Sequence, residues 1–357
     1  MRLIFVPALA LTMASAASAQ KLNIFNWSDY INEESIPNFI AETGINTTYD
    51  TFDSNETLES LLLAGNSGYD IVVPSGTFLK RQSELGIFQP LDKSRLQGLD
   101  GLSAFVMDKV AAFDPGMTYS LPYMWGTTGI GYVAEHVEAA LGAEAPTDSW
   151  DLIFDPENAA QLAQCGIYML DAPGDIIAAA LNYLGLNPDS HDPADLIRTL
   201  EVLKPIRPYI TKFDSSEYID ALAAGEICLA VGWSGDMFIA RDAAEAVTVE
   251  YVIPSEGAFM WFDLMAIPAD AANVDEAYAF LNYMLRPEVA AAATNYVYYA
   301  NANQAAFDAG LIDEAVTSDP AIYPDVATLE KLYATTPYSF ETQEFVDAIW
   351  AEFVAGN

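Results

Sequence analysis

Apolar and polar positions follow two alternating rhythms along most of the chain. Leu22, Ile24 and Phe25 form a strand-like run that stops at Trp27-Ser28-Asp29-Tyr30. Residues 32–42 carry helical spacing and end just before Gly44. Residues 45–52 alternate and are rich in β-branched side chains, so they predict a strand. Asp53-Ser54-Asn55-Glu56 then offers N-caps for a helix to Leu63, stopped by Gly65. Residues 69–73 are a short continuous apolar run, as buried parallel strands are. Pro74-Ser75-Gly76-Thr77 follows, and a helix is expected from Phe78 to Leu85. Strands and helices in strict alternation predict an α/β fold with a mixed, mostly parallel sheet flanked by helices.

Further along, residues 121–126 read as an extended run and 129–133 as a new strand, with a crossing into a second domain near Trp125. Helices are expected at 150–154, 158–163, 176–184, 194–204 and 215–224. Strands are expected at 167–170, 227–231 and 247–253, the last carrying the chain back to the first domain. Helices at 275–285, from Pro287 and at 345–353 complete the chain. No repeats or low-complexity segments interrupt it.

One polar pattern recurs where the apolar runs stop. Trp27/Asp29/Tyr30, Trp233/Asp236 and Trp261/Asp263 each place an aromatic face beside a carboxylate, with Asp171 or Asp175 and Tyr299 as additions. In open α/β sheets ligands bind beyond the carboxyl ends of strands. Aromatic faces attract cations, and a buried ammonium needs paired carboxylates. The pattern therefore suits an organic dication with a greasy middle. Ser75, at another strand end, is expected to give a neutral hydrogen bond, because helix N-termini favour anions.

The formal net charge of −37 argues against nucleic acid or an anionic membrane as partner and is compatible with steering of a cation. Met1-Arg2, the apolar run from Leu3 to Met13 and Ala17-Ser18-Ala19 read as a signal peptide spanning residues 1–19. No later run is long and apolar enough for a transmembrane helix, so direct membrane insertion is not expected. Cys165 and Cys228 are the only cysteines, and in an exported chain they read as one disulfide. His136 and His191 neighbour neither cysteine, so no metal site is expected.

The chain resembles the periplasmic polyamine-binding proteins of ABC importers, nearest to the putrescine-binding members. The resemblance is carried by NWSDY (26–30), FDSNE (52–56), YDIVVPSGTFLKRQ (69–82), FQPLDKS (88–94), PYMWGTTGIGY (122–132), DSWDLIFDPEN (148–158), LDAP (170–173), LNYLG (181–185), GWSGD (232–236), YAFLNYMLRPEV (278–289) and YANAN (299–303). It implies a two-lobed periplasmic binding protein of type II, with the ligand in the cleft between lobes that close about a hinge. Residues 20–124 with 249–302 are expected as lobe 1, and 125–248 with 303–357 as lobe 2. By position, ligand contacts fall on Trp27, Ser28, Asp29, Tyr30, Ser75, Asp175, Trp233, Asp236, Trp261, Asp263 and Tyr299. Asp236 and Asp263 are expected among the groups holding one ammonium, with Asp29 helping from the other lobe. The family's paired cysteines fall on Cys165 and Cys228.

Two positions depart from the putrescine-binding pattern. Gly174 and Asp175 stand where those relatives have two glutamates, so the second ammonium loses a methylene of reach, which a water bridges. Trp261 stands where they have Phe and where spermidine-preferring relatives carry Trp.

The expected function is capture of a polyamine, putrescine first, and delivery to an ABC permease by a periplasmic monomer without cofactor. A spermidine-preferring or quaternary-amine binder is the alternative within binding proteins. From another class, a secreted glycoside hydrolase would use Asp236 and Asp263 as paired acid and base. No catalytic triad, phosphate loop or zinc spacing supports an enzyme.

Overall fold

In the computed structural model, which describes residues 20–356, ten strands form one sheet. The proposed signal peptide lies outside the described residues. β1 (Lys21–Trp27), β2 (Asn46–Phe52) and β3 (Ile71–Val72) come first, then β4 (Ser120–Val133), β5 (Ile167–Met169) and β6 (Lys212–Phe213). β7 (Leu229–Trp233), β8 (Val249–Val252), β9 (Phe259–Ala266) and β10 (Ala300–Asn301) complete the set. The order along the sheet is β2-β1-β3-β9-β4-β7-β5-β6, with β8 and β10 pairing to β4 off this path.

The two flanks are parallel: β1 pairs with β2 and β3, and β5 with β6 and β7. The centre is antiparallel, because β4 runs against β7, β8, β9 and β10. Helices connect the parallel strands, as crossover connections require. Helix Ser35–Thr43 ends at Gly44 with φ 72°, the left-handed stop its glycine predicts. Helix Asn55–Ala64 is capped by Ser54, whose side chain accepts from the Thr57 N–H.

Two apolar cores sit on either side of this centre. One gathers Leu22, Phe39, Ile71, Leu264 and Leu281, and the other Trp150, Ile177, Leu203, Leu229 and Phe353. β4 serves both: Leu121, Met124 and Trp125 pack in the first and Ile130 and Val133 in the second.

Several sequence expectations are corrected here. Residues 120–133 form one unbroken strand rather than two. The glycines at 126, 129 and 131 do not interrupt it, because each is paired to a neighbouring strand. The expected helix 194–204 is two, Pro193–Arg198 and Leu200–Ile206. β8 does not return the chain to the first core; it pairs with Ile130–Val133 of β4, and Val249 packs in the second core. Past residue 302, Ala306, Ile312, Val316 and Ile322 still pack in the first core, and the chain packs on the second from Tyr338 onward.

The Cys165–Cys228 disulfide is present, with the Cα atoms 5.3 Å apart. It ties the segment before β5 to the start of β7, within the second core. Among the described residues no helix is long and apolar enough to cross a membrane.

Candidate ligand-binding site

A cavity of about 110 Å³ opens where the two cores meet. Its walls take Trp27 to Tyr30 from the end of β1 and Ser75 from the end of β3. Trp261 and Asp263 come from β9, Trp233 and Asp236 from the β7 end, and Asp175 and Tyr299 from beyond β5 and before β10. All the residues singled out from the sequence therefore line one cavity. Seven carboxylates line it, and no Lys, Arg or His.

Local geometry aims these side chains. Asp29 has φ 49°, a left-handed backbone that aspartate tolerates better than most residues. The chain turns there, and Tyr30 comes back to donate its hydroxyl to Asp263 Oδ2 at 2.8 Å. Tyr123 in turn donates to the Tyr30 carbonyl at 2.5 Å, fixing the turn from β4. Ser75 stands at an N-cap position, yet its hydroxyl makes no cap bond. It donates instead to Asp263 Oδ1 at 2.6 Å and accepts from Asn55 Nδ2 at 3.0 Å.

The sequence pattern placed every carboxylate at a strand end, and Asp263 breaks that rule. It lies inside β9, opposite Met124, beside the register shift between Pro122 and Met124. β3 is only two residues long, so Ser75 meets Asp263 as an isolated bridge past its end. A mid-strand aspartate is thus held at the cavity wall by Ser75 and Tyr30.

Asp236 sits in the first turn of helix Ser234–Ala243, and Asp175 in the first turn of helix Pro173–Tyr183. A helix N-terminus stabilises a carboxylate there. Asp236 accepts from the Tyr299 hydroxyl at 2.6 Å and from the Tyr218 hydroxyl. Asp175 Oδ2 accepts from the Thr128 hydroxyl and, at 3.1 Å, from Trp233 Nε1.

Burial dominates the electrostatics. It pushes the carboxyls of Asp175 and Asp236 up to about 6 and that of Asp263 up to about 7, against the partial relief of their hydrogen bonds. The charge of Asp175 adds to the rise at Asp263, and that of Asp29 to the rise at Asp236. The same burial, with the neighbouring Asp236 charge, raises the phenols of Tyr218 and Tyr299 well above their ordinary range.

The rings form two groups in contact. Trp27 meets Trp233 edge to face with centroids 5.5 Å apart, Tyr30 meets Tyr299 at 5.1 Å, and Trp261 meets Tyr299 at 5.2 Å. Trp27 Nε1 donates to the Val73 carbonyl at 2.9 Å, which locks its ring.

Sequence reading missed several contributors. Gly126 and Gly235 leave room for the rings: a Cβ would stand 2.6 Å from Trp261 Cζ2 and 2.4 Å from Tyr299 Cε2. An interior strand glycine that lets another group approach is the signal that marks Gly126. Tyr218 and Thr128, which hold Asp236 and Asp175, carry no such signal. Asp53, Glu56, Phe78 and Thr335 line the cavity too. Asp171, offered as an alternative to Asp175, lines it while accepting from Trp350 Nε1 at 2.8 Å.

Among the described residues no cluster of His, Cys, Asp and Glu has the arrangement of a metal site. The cavity offers anionic, hydrogen-bonded carboxylates separated by aromatic faces, which is the chemistry of cation capture.

Comparison with known proteins bears on the whole chain. The putrescine-binding periplasmic protein SpuD of Pseudomonas aeruginosa is 47% identical over 349 residues, covering 97% of this chain and 95% of that protein. The putrescine-binding periplasmic protein PotF of Escherichia coli is 48% identical over 355 residues, covering 98% and 95%. Among solved structures, the spermidine/putrescine ABC transporter substrate-binding protein PotD of Streptococcus pneumoniae superposes with a TM-score of 0.77 at 32% identity, covering 94% of this chain and 99% of that one. Residues 34–324 match the family model described as bacterial extracellular solute-binding protein, and the chain belongs to that family.

Proposed function

We propose that this protein captures a polyamine, putrescine first among them, in the periplasm and delivers it to an ABC permease. The observation that carries this reading is the cavity itself: seven carboxylates, aromatic rings among them and, among the described residues, no basic residue in its lining. The names of the full-length relatives support the same ligand class. Asp236 and Asp263 are among the groups that hold one ammonium, with Asp29 helping from across the cavity. Asp175 serves the other. The methylenes run along Trp27, Trp233, Trp261, Tyr30 and Tyr299. Carboxylates from both halves line the cavity, so the ligand holds the halves together.

The packing supports lobes that change over at residue 128 in β4, near residue 257 before β9, and between residues 333 and 340. The carrier works as a monomer whose leader, residues 1–19, is cleaved after Ala19.

This is a binding role without turnover, as befits a solute-binding component of transport. A quaternary amine fits less well, since it needs one carboxylate in an aromatic box, whereas several line this cavity. A thermal-shift panel on ligand-stripped protein tests the reading. It would contain putrescine, cadaverine, agmatine, spermidine, choline and betaine. A ligand at about 100 times its Kd adds roughly 2.7 kcal/mol of stability. A shift led by putrescine supports the reading. One led by spermidine moves preference to Trp261 and Gly174, and a shift with no amine removes it.

A further inference from the structure

We propose that Asp189 pins Thr336 and thereby fixes the cavity wall at Thr335, so that the loop 187–191, outside the cavity, sets which length of polyamine the site prefers. This rests on the polyamine reading above and deepens it from ligand class to ligand length.

The third changeover between the cores runs from Tyr333, which packs on the first, to Tyr338, which packs on the second. Its first end is fixed. Tyr333 donates its N–H to the Ala258 carbonyl at 3.1 Å, and its own carbonyl accepts from the Met260 N–H at 2.8 Å. Its ring stacks on Phe259 with centroids 6.4 Å apart. Residues 334–339 then belong to neither strand nor helix, until Phe340 opens the last helix. Among the described residues, the hydrogen bonds of residues 334–338 all involve Thr336, and they go to Asp189 and His191. A segment with so few bonds takes its position from the anchor it has.

That anchor is well built. Thr336 donates its N–H to Asp189 Oδ1 at 2.6 Å, and its hydroxyl stands 3.0 Å from each Asp189 oxygen. His191 Nε2 stands 3.1 Å from the same hydroxyl and 3.5 Å from Asp189 Oδ1. The His191 ring packs on Tyr338 with centroids 4.7 Å apart. The loop that presents both residues is itself held. Asp189 donates its N–H to Asn187 Oδ1 at 3.1 Å, and Ser190 donates its hydroxyl to Asp195 Oδ2 at 2.7 Å, in helix Pro193–Arg198. The loop follows helix Pro173–Tyr183, whose first turn carries Asp175. One continuous piece of the second half therefore presents both Asp175 and the pin.

Thr335, next to the pinned residue, is the one residue of this changeover in the cavity lining, and Phe259, beneath Tyr333, lines the cavity too. This wall lies toward Asp175, since Tyr333 is within the field of that carboxylate. Gly174, beside Asp175, leaves open space: a Cβ there would meet nothing within 4 Å. A longer amine has that room to enter, and Thr335 is the wall that gives when its anchor is cut. Neither Asp189 nor His191 lines the cavity, so cutting the pin removes no lining side chain.

Calorimetry of putrescine and spermidine on the wild-type protein, Asp189→Ala, Thr336→Val and the double variant tests the pin. In Asp189→Ala the ratio of putrescine to spermidine affinity is expected to shift toward spermidine by about threefold to tenfold, the span of one net hydrogen bond. Thr336→Val keeps the N–H bond and is expected to shift the ratio less, in the same direction. The double variant is expected to match Asp189→Ala, because the two residues act through one contact. An unchanged ratio, a shift toward putrescine or an equal loss for both amines overturns the proposal and leaves the polyamine reading standing. Shifts that add in the double variant show separate actions and overturn it as well. Wild-type protein that binds neither amine removes the polyamine reading and this inference with it. If Asp189→Ala fails to fold, Thr336→Val decides alone: a shift toward spermidine supports the pin, and its absence overturns it.

Discussion

Trp27 and Trp233 meet edge to face across the cavity, one from the end of β1 and the other from the end of β7, with ring centroids 5.5 Å apart. They belong to strands of opposite parallel flanks, so the contact bridges the two sides of the cavity. Trp233 also donates its Nε1 to Asp175 at 3.1 Å. Two substitutions separate these roles. Trp233→Phe keeps a ring and drops the hydrogen bond, and it is expected to weaken putrescine binding by about tenfold, a lost net hydrogen bond to a charged group. Trp233→Ala removes the wall as well and is expected to weaken binding by a further factor of about ten or more. Calorimetry on both variants checks the order. Equal losses would show that the ring contributes nothing.

Asp263 accepts from Ser75 and Tyr30 and is 4% exposed. Asp263→Asn leaves an ammonium without its buried partner. The expected loss of diamine affinity is on the order of 2–5 kcal/mol. A loss below about tenfold, or about 1.4 kcal/mol, would place Asp263 outside the contact set. Melting of the ligand-free variant provides the control, because removing a buried charge should not lower it.

Stability without ligand should depend on pH in an unusual direction for aspartates. The carboxyls of Asp175, Asp236 and Asp263 sit at about 6, 6 and 7 when folded, above their ordinary value of 3.8. Between those limits the folded state binds more protons than the unfolded state, so stability falls as pH rises through this window. The melting temperature of stripped protein is expected to drop from about pH 5 to about pH 8. Replacing Asp236 and Asp263 with Asn should flatten that slope. A midpoint that rises over the same range would contradict the burial of these groups. Affinity for an amine should fall below about pH 6 as Asp236 protonates and ceases to attract a cation.

Gly235→Ala tests the packing of Tyr299. The new Cβ would stand 2.4 Å from Tyr299 Cε2 and 2.5 Å from the Val297 carbonyl. Overpacking of this kind destabilises by about 1–3 kcal/mol. The shift of Tyr299 should also break its bond to Asp236, so affinity falls with stability. Unchanged melting and binding would show that the backbone yields there at little cost.

Replacing Cys165 and Cys228 together by Ser removes a cross-link between residues 63 apart. The expected loss is about 2–4 kcal/mol of stability. Putrescine affinity should change little, because neither cysteine lines the cavity. A large loss of affinity would mean that the disulfide sets the position of Trp233 through β7.

Much of the site was legible because its residues stop apolar runs. Trp27 to Tyr30 and Trp233 to Asp236 interrupt hydrophobic strands, and a polar interruption is visible in one dimension. The way Ser75 holds Asp263 was not legible. It depends on which strands neighbour β4, and Asp263 is separated from Ser75 by 188 positions. The continuity of β4 was also hidden, because Gly126 and Gly129 read as breakers when their burial between neighbours is unknown. Helix Asn55–Ala64 was legible from its cap: Ser54 accepts from the Thr57 N–H. The split at Thr199 was not, since helical spacing continues across it.

β4 has one further consequence. A strand rises about 3.3 Å per residue, and this one, 14 residues long, contributes buried side chains to both cores. Neither half can melt without stripping that ribbon from the other. Heating the ligand-free protein should therefore give a single endotherm whose calorimetric and van't Hoff enthalpies agree, although its length would ordinarily suggest two separately folding units.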